Sequence, residues 1–376
     1  MLIRNRIQNF SKIVKKITNN VFVKKIITIV IITSITFSCL ASCSANDANI
    51  SDFREVIDMA GDTVSIPQNV TRVVSIIPYG GQFFVGLGLS KYLIAVSDDN
   101  VESKWWEVVC PNYNEIKIIN ENESAESLIA MKPDVVLVAN PNDARELRGK
   151  GINAVTFQFY SIAELKKCLN LLVDIVGDEA REKVDEYIKY FDEKIMFVEE
   201  TFKNKNIKKQ SLYYINGISY KGFYKTTGNG STNSELAHLS YVDYATDDLI
   251  ESPMNYVDQE AILSKNPQNI IIGGRYQHRL YKEIFESKEW ENVDAIKNKR
   301  VHTVPIGISA WNRYGLEMAL MIPWTTAIVY GDVIEFDVKK EVREFYSKFM
   351  NYELSESDVM NIINGLMPNG KKEIEE

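Results

Sequence analysis

Apolar residues in the stretch 178–205 fall at Val184, Ile188, Phe191, Ile195, Val198 and Phe202, in alternating steps of four and three. That spacing draws one continuous stripe down a helix. No Pro or Gly interrupts it, and Gly177 separates it from a helical run over Ser161–Val176. At 1.5 Å per residue such a helix reaches roughly 40 Å, about the length of a small domain. The chain repeats itself on either side. Glu126 opens a short amphipathic run, Pro133 follows seven residues later, and the β-branched strand Val135–Val138 comes at once. Glu260, Pro267 and the strand Asn269–Ile272 restate the same order. The pattern predicts two similar halves joined by one long helix.

The remaining pattern fills in both halves. Arg54–Pro67 alternates like an edge hairpin turning at Gly61-Asp62. Arg72–Ile77 is a buried strand, a helix runs to Leu87, and Tyr92–Val96 is the next strand. Residues 98–124 read as irregular and polar, with Trp105 and Trp106 side by side. A helix around Ala144–Lys150 and a strand at Ala154–Phe157 complete the first half. The second half restarts with a strand at Ser211–Ile215, a loop rich in Gly, Tyr and Thr over Asn216–Gly230, and a helix at Asn233–Leu239. A helix at Leu280–Phe285, a strand at Arg300–Pro305, a helical run at Gly315–Val329 containing Pro323, and an amphipathic helix at Val338–Met350 follow. Strands alternating with helices argue for parallel βαβ units. The expected fold is α/β: two Rossmann-like lobes, 53–177 and 206–376, joined by one long rigid helix over 178–205, with a ligand cleft between them.

The first 42 residues have a different character. Seven Lys or Arg and no acid accompany the apolar run Ile26–Phe37, whose 12 residues fall short of the roughly 20 that span a bilayer. That is the length of a signal-peptide core. It ends in Leu40-Ala41-Ser42-Cys43, which resembles a bacterial lipobox. The expectation is a lipoprotein signal peptide over 1–42, lipid on the Cys43 thiol, a polar tether over 43–52, and a body held outside the cell membrane. Cys110 and Cys168 are then isolated, without the spacing of a zinc site or a disulfide framework. Net charge changes the picture once the leader is set aside. The whole chain carries −8, and the part after residue 42 carries −15. So acidic a body has no means of neutralising phosphates, and a nucleic-acid partner is not expected.

In open α/β sheets ligands sit beyond the carboxyl ends of the strands. The residues that follow strands are Tyr79, Trp105, Trp106 and Tyr160 in the first half. In the second they are Tyr220, Arg275, Tyr276, His278, Trp311, Asn312 and Arg313. Aromatics give flat apolar walls with polar tips, and Arg gives a rigid fork for anionic oxygens. This set suits a bulky, partly planar ligand bearing oxygens. GxSxG, HExxH, Walker A and GxGxxG are all absent, so nothing requires an enzyme, and no cofactor is expected. Of three His, only His278 follows a strand as a ligand candidate, so no direct metal site is built.

At this point the residues resemble a family. Asp58–Val64 followed by Pro67 and Arg72-Val73-Val74-Ser75 is similar to the opening of ABC-transporter substrate-binding proteins of the iron-siderophore, haem and cobalamin class. Glu126–Val138 and the run from Trp290 to Pro305 carry its later signatures. The resemblance implies capture of a metal chelate outside the membrane by a monomer, and delivery to a permease dimer with a cytoplasmic ATPase. It also implies that Glu126 and Glu260 meet Arg residues on the two permease subunits. Two departures bear on the cargo. Tyr79-Gly80-Gly81 stands where many relatives carry Ser-Pro-Ser and an acid, and the long tail from Trp311 resembles a subgroup that includes molybdate and tungstate binders. A ferric siderophore or haem is the favoured cargo, cobalamin stays within the class, and a metal oxyanion is the alternative. More remote readings are a haem-binding sensor lipoprotein and a chelatase-like enzyme.

Overall fold

The structure is a computed structural model that describes residues 52–77, 79–98, 103–218, 222–250 and 255–372. The leader, Cys43 and Tyr220 lie outside the described residues. Strands β1 (Phe53–Ile57) and β2 (Thr63–Pro67) pair antiparallel around a turn in which Gly61 has φ +82°. Asp58 anchors that turn. Its buried carboxylate accepts from Ala60 N and Asp62 N at 2.9 Å each, and from Thr156 N at 3.2 Å.

The first lobe follows. It contains β3 (Val73–Ser75), α1 (Gly80–Gly86), β4 (Leu93–Ser97), α2 (Trp105–Val109), β5 (Lys117–Ile119), α3 (Ala125–Ala130), β6 (Val135–Val138), α4 (Pro141–Gly149), β7 (Ala154–Thr156) and α5 (Ile162–Val176). Its five strands are all parallel, in the order β5-β4-β3-β6-β7. β6 is buried at every position, which is why it reads as a continuous Val-Leu run rather than an alternation. Residues 98–124 correct the sequence reading: α2 and β5 form there, both too short to display a period. Arg54 on the hairpin donates to Ile175 O at 2.7 Å and also to Asp174 O, which satisfies the carbonyl end of α5.

The linking helix α6 spans Asp178–Phe202 and packs on α5. The expected stripe is inward-facing, with Val184, Phe191, Val198 and Phe202 buried and Ile188 and Ile195 partly buried. Tyr187 and Tyr190 widen it, because each hides its ring while its hydroxyl finds an acceptor, Leu316 O at 2.8 Å for Tyr187 and Glu341 Oε1 for Tyr190.

The second lobe contains β8 (Ser211–Asn216), β9 (Lys225–Thr226), α7 (Thr232–Leu239), β10 (Asp243–Tyr244), β11 (Asn255–Tyr256), α8 (Gln259–Lys265), β12 (Asn269–Gly273), α9 (Gln277–Glu286), α10 (Asp294–Lys297) and β13 (Val301–Thr303). Its main sheet runs β10-β8-β12-β13, again parallel. That order repeats β4-β3-β6-β7 of the first lobe, with β5 as the extra edge strand. The repeat extends to single residues. Ser124 and Asp258 cap α3 and α8, and Glu126 and Glu260 stand second in each helix, exposed. Each helix ends in a left-handed residue directly before its proline, Lys132 at φ +50° and Asn266 at φ +45°. The αR region is disfavoured before proline, so the same exit is taken twice.

The chain closes with α11 (Met318–Tyr330), which is buried nearly all round and contains Pro323, then α12 (Val338–Phe345), a π-helical turn at Tyr346–Met350, and α13 (Glu356–Ile363). The sequence pattern read Val338–Met350 as a single helix and left α13 undetected. One apolar core runs from Val73 and Phe83 through Val184 to Tyr214, Trp311 and Leu316, so both lobes and the helix share it. Among the described residues, no helix is long and apolar enough to cross a membrane.

Candidate functional site: a cleft at the strand ends

A cavity of about 680 Å³ opens where the carboxyl ends of both parallel sheets face each other. The loop after β3 contributes Tyr79 and, from α1, Gln82; the loop after β7 contributes Gln158 and Tyr160. The sharp β3–α1 connection depends on Gly80, where a Cβ would lie 2.3 Å from Ser75 Oγ. From the second lobe come Tyr214 and Asn216 at the end of β8, Arg275 after β12, and the turn Ile306–Ala310 with Asn312, Arg313 and Tyr314 after β13. The start of α7 joins them through Ser231, Thr232 and Asn233, so a helix N-terminus, with the positive end of its dipole, borders the space.

The wall is aromatic and ordered. Tyr79 is buried and donates to Gln158 Oε1 at 2.7 Å and Phe157 O at 3.0 Å; burial pushes its phenol well above the usual tyrosine range. Its ring meets Phe159 at 5.2 Å and Tyr314 at 5.3 Å, both edge-on, and Phe159 meets Tyr314 at 4.7 Å. Tyr314 therefore ties the two lobes together across the cleft floor. Ser103 does the same by donating to Gly307 O. Tyr214 is raised to about 12 by burial, while the charge of Arg313 nearby pulls the other way. Its hydroxyl accepts from Asn312 Nδ2 at 2.6 Å.

Among the described residues, the charged lining consists of Arg275 and Arg313, both exposed, and includes no Asp or Glu. Two guanidinium groups, a helix N-terminus and several neutral amides and hydroxyls set hydrogen-bond donors of the kind that suits anionic oxygens into an otherwise apolar, aromatic wall. Among the described residues, no cluster of His, Cys, Asp or Glu is arranged to hold a metal ion.

The structure distributes the expected site residues unevenly. Tyr79, Tyr160, Arg275 and Arg313 line the cavity. Trp105, Trp106 and Trp311 do not: they are at most 1% exposed and belong to the shared core. Trp105 Nε1 donates to Leu366 O at 3.0 Å, and Trp311 packs edge-on against Trp324. Tyr276 leans on the separate core outside the second sheet. His278 lies on α9 with Nε2 against Gly365 O at 2.9 Å, a tie to the C-terminal segment. Gln82, Gln158, Asn216, Thr232 and the Ile306–Ala310 turn are lining residues that the sequence reading missed. Position directly after an expected strand was the signal for Gln158, Asn216 and Ile306, and the Gly-Ser approach to α7 was the signal for Thr232.

With this geometry in place, the comparisons with known proteins agree on one class. Residues 85–306, more than half of the chain, match the periplasmic binding protein family, and the chain belongs to that family. It is thus the substrate-binding component of an ABC transporter, working outside the cytoplasm with a permease and its ATPase. It is 23% identical to the molybdate-binding protein MolA of Haemophilus influenzae, over 87% of this chain and 96% of that one. It is 22% identical to the ABC transporter substrate-binding lipoprotein YvrC of Bacillus subtilis, over 66% of this chain and 76% of that one. The fold superposes on molybdate-bound MolA with a TM-score of 0.69 at 20% identity, covering 80% and 99% of the two chains. A periplasmic solute binding protein from Veillonella parvula also gives 0.69, at 23% identity and 83% and 97% coverage.

Proposed function

We propose that this protein captures a metal chelate, a ferric siderophore or haem first and cobalamin within the same class, while anchored to the cell membrane by lipid on Cys43. The observation that carries the cargo reading is the cavity itself: about 680 Å³, aromatic, with Arg275 and Arg313 as the charged groups among the described lining residues. That volume lies within the roughly 300–1,000 Å³ typical of sites for organic ligands, and a lone tetrahedral oxyanion leaves most of it unfilled. Tyr79, Tyr160 and Tyr314 supply flat walls, and Arg275 and Arg313 meet the oxygens. The anchor reading rests on the order of basic leader, short apolar core and Leu-Ala-Ser-Cys.

A second reading, molybdate or tungstate, is favoured by one observation: the molybdate-binding relative matches along nearly its whole length. Titrations of the mature protein with haemin, a ferric tricatecholate, a ferric trihydroxamate and molybdate, followed by intrinsic fluorescence, separate the two. The chelate reading expects one ferric ligand to bind, and Arg275→Ala and Arg313→Ala each to weaken it by roughly 1.5–3 kcal/mol, as for a charge-assisted hydrogen bond. Tight molybdate binding with no response to any chelate establishes the alternative. Unchanged affinity in both Arg variants removes the cavity assignment.

A further inference from the structure

Behind the cavity wall lies a fully buried carboxyl. Glu317 is 0% exposed, at the entry to α11. Its Oε2 accepts from Ser309 N at 2.8 Å and its Oε1 accepts from the Tyr346 hydroxyl at 2.6 Å. Ser309 belongs to the turn Ile306–Ala310, which closes on itself through Gly307 N to Ser309 O at 3.0 Å and presents Ile306, Ile308, Ser309 and Ala310 to the cavity. The contact is so close that a Cβ at Gly307 would lie 1.8 Å from Glu317 Oε1. On its outer side the same turn receives Ser103 of the first lobe, which donates to Gly307 O. Tyr346 sits in a π-helical turn, an irregularity often found at functional positions.

We infer that Glu317 is a positioning residue for cargo capture: its ionised carboxylate, by accepting from both Ser309 N–H and Tyr346 O–H, holds the Ile306–Ala310 turn in the binding-competent shape, and proton uptake by Glu317 weakens that hold. The inference rests on the cleft being the cargo site. Ser309 N can only donate, and the Tyr346 hydroxyl donates to an ionised carboxylate; a proton on Oε1 turns that hydroxyl round to accept and takes from the Ser309 N–H contact the charge that strengthens it. The titratable groups facing it are Tyr346, from the π-helical turn, and Tyr187, from α6. Burial holds both phenols protonated, and neither supplies a cation. The Trp311 indole faces it from its own segment. Burial without a cationic partner raises the Glu317 carboxyl to about 7, so both states are populated near neutrality.

The test compares wild type, Glu317→Gln and Tyr346→Phe, using ferric trihydroxamate and molybdate as probes because both are chemically stable across the range. If only the ionised form is competent, apparent affinity falls about tenfold from about pH 8 to about pH 6. Glu317→Gln is expected to bind weakly and without that pH dependence, and Tyr346→Phe to move the fall to higher pH. Amide exchange at Ser309 in the free protein supplies a readout that needs no cargo: its protection should drop through the same range in wild type and stay flat in Glu317→Gln. Wild-type affinity that is flat in pH overturns the inference, and so does Ser309 protection that is flat in pH. If neither probe binds while Ser309 retains its pH step, the choice of cargo is at fault and the positioning role of Glu317 stands.

Discussion

Adding one methyl group at residue 307 is a severe test of the cavity-wall architecture. A Cβ there would sit 1.8 Å from Glu317 Oε1 and 1.9 Å from Tyr346 Oη, far inside van der Waals contact. Neither atom can retreat cheaply. The Glu317 carboxyl is held at 2.8 Å by Ser309 N and at 2.6 Å by Tyr346, and both side chains are fully buried. Making room in Gly307→Ala breaks at least one hydrogen bond to a buried carboxyl, each worth about 1.5–3 kcal/mol. With the second bond strained as well, the variant should lose about 3–5 kcal/mol. At about 2 °C per kcal/mol for a large domain, the thermal midpoint should drop by about 6–10 °C. Gly149→Ala is the control, since a Cβ there meets nothing within 4 Å and the site ends a helix; it should be neutral or slightly stabilising. Urea unfolding followed by tryptophan fluorescence, with thermal melts in parallel, reads both variants. A Gly307→Ala midpoint indistinguishable from wild type would refute the reasoning, because the network could not then be packed as described.

Other outcomes follow from the same structure. Between about pH 4.5 and 6.5 a half-buried imidazole and a buried carboxyl oppose each other. His302, pushed down to about 4 by burial, contributes stability that is present above its ordinary 6.5 and lost as pH falls through 4. Glu317, pushed up to about 7, contributes stability present below about 4.5 and lost as pH rises through 7. Melts of His302→Gln should therefore gain stability on acidification by up to about 1.4 kcal/mol per pH unit, and Glu317→Gln should lose it, relative to a flatter wild type; parallel curves would contradict both assignments. Glu126→Ala with Glu260→Ala should leave cargo affinity intact and abolish stimulation of the transporter's ATPase. Both residues also sit in helix first turns, where an acid contributes about 0.3–1 kcal/mol, so a double mutant that drives transport normally but melts earlier returns them to that role. Cys43→Ser should leave the leader uncleaved and free of diacylglycerol, read by mass spectrometry of membrane-extracted protein; a lipidated variant would rule out the anchor.

Much of the fold was legible because it repeats. The stripe on α6 has a period, and the Glu-to-Pro spacing of seven fixes α3 and α8 and the strands after them. The cleft was legible only as a place. Position after a strand says that a residue is near the site, but not which way its side chain points. Trp105, Trp106 and Trp311 satisfied the position and yet turned into the core, where their large apolar area is worth most. Conversely, Gln82, Gln158, Asn216 and Thr232 are ordinary polar residues on four separate segments, and no motif links them before the chain folds. The pairing of Glu317 with Ser309 and Tyr346 spans 37 positions from end to end without a period, so it leaves no trace in the pattern. Tyr187 and Tyr190 were passed over on α6 because a phenol breaks an aliphatic stripe, although each buries its ring and satisfies its hydroxyl.

The central claim, that the cleft carries a metal chelate, meets its most direct test in native mass spectrometry with metal analysis of the mature protein purified from its own membranes. A one-to-one complex with an iron-bearing organic ligand, lost together in Arg275→Ala with Arg313→Ala, is the predicted result. Molybdenum or tungsten bound without any organic component would contradict it.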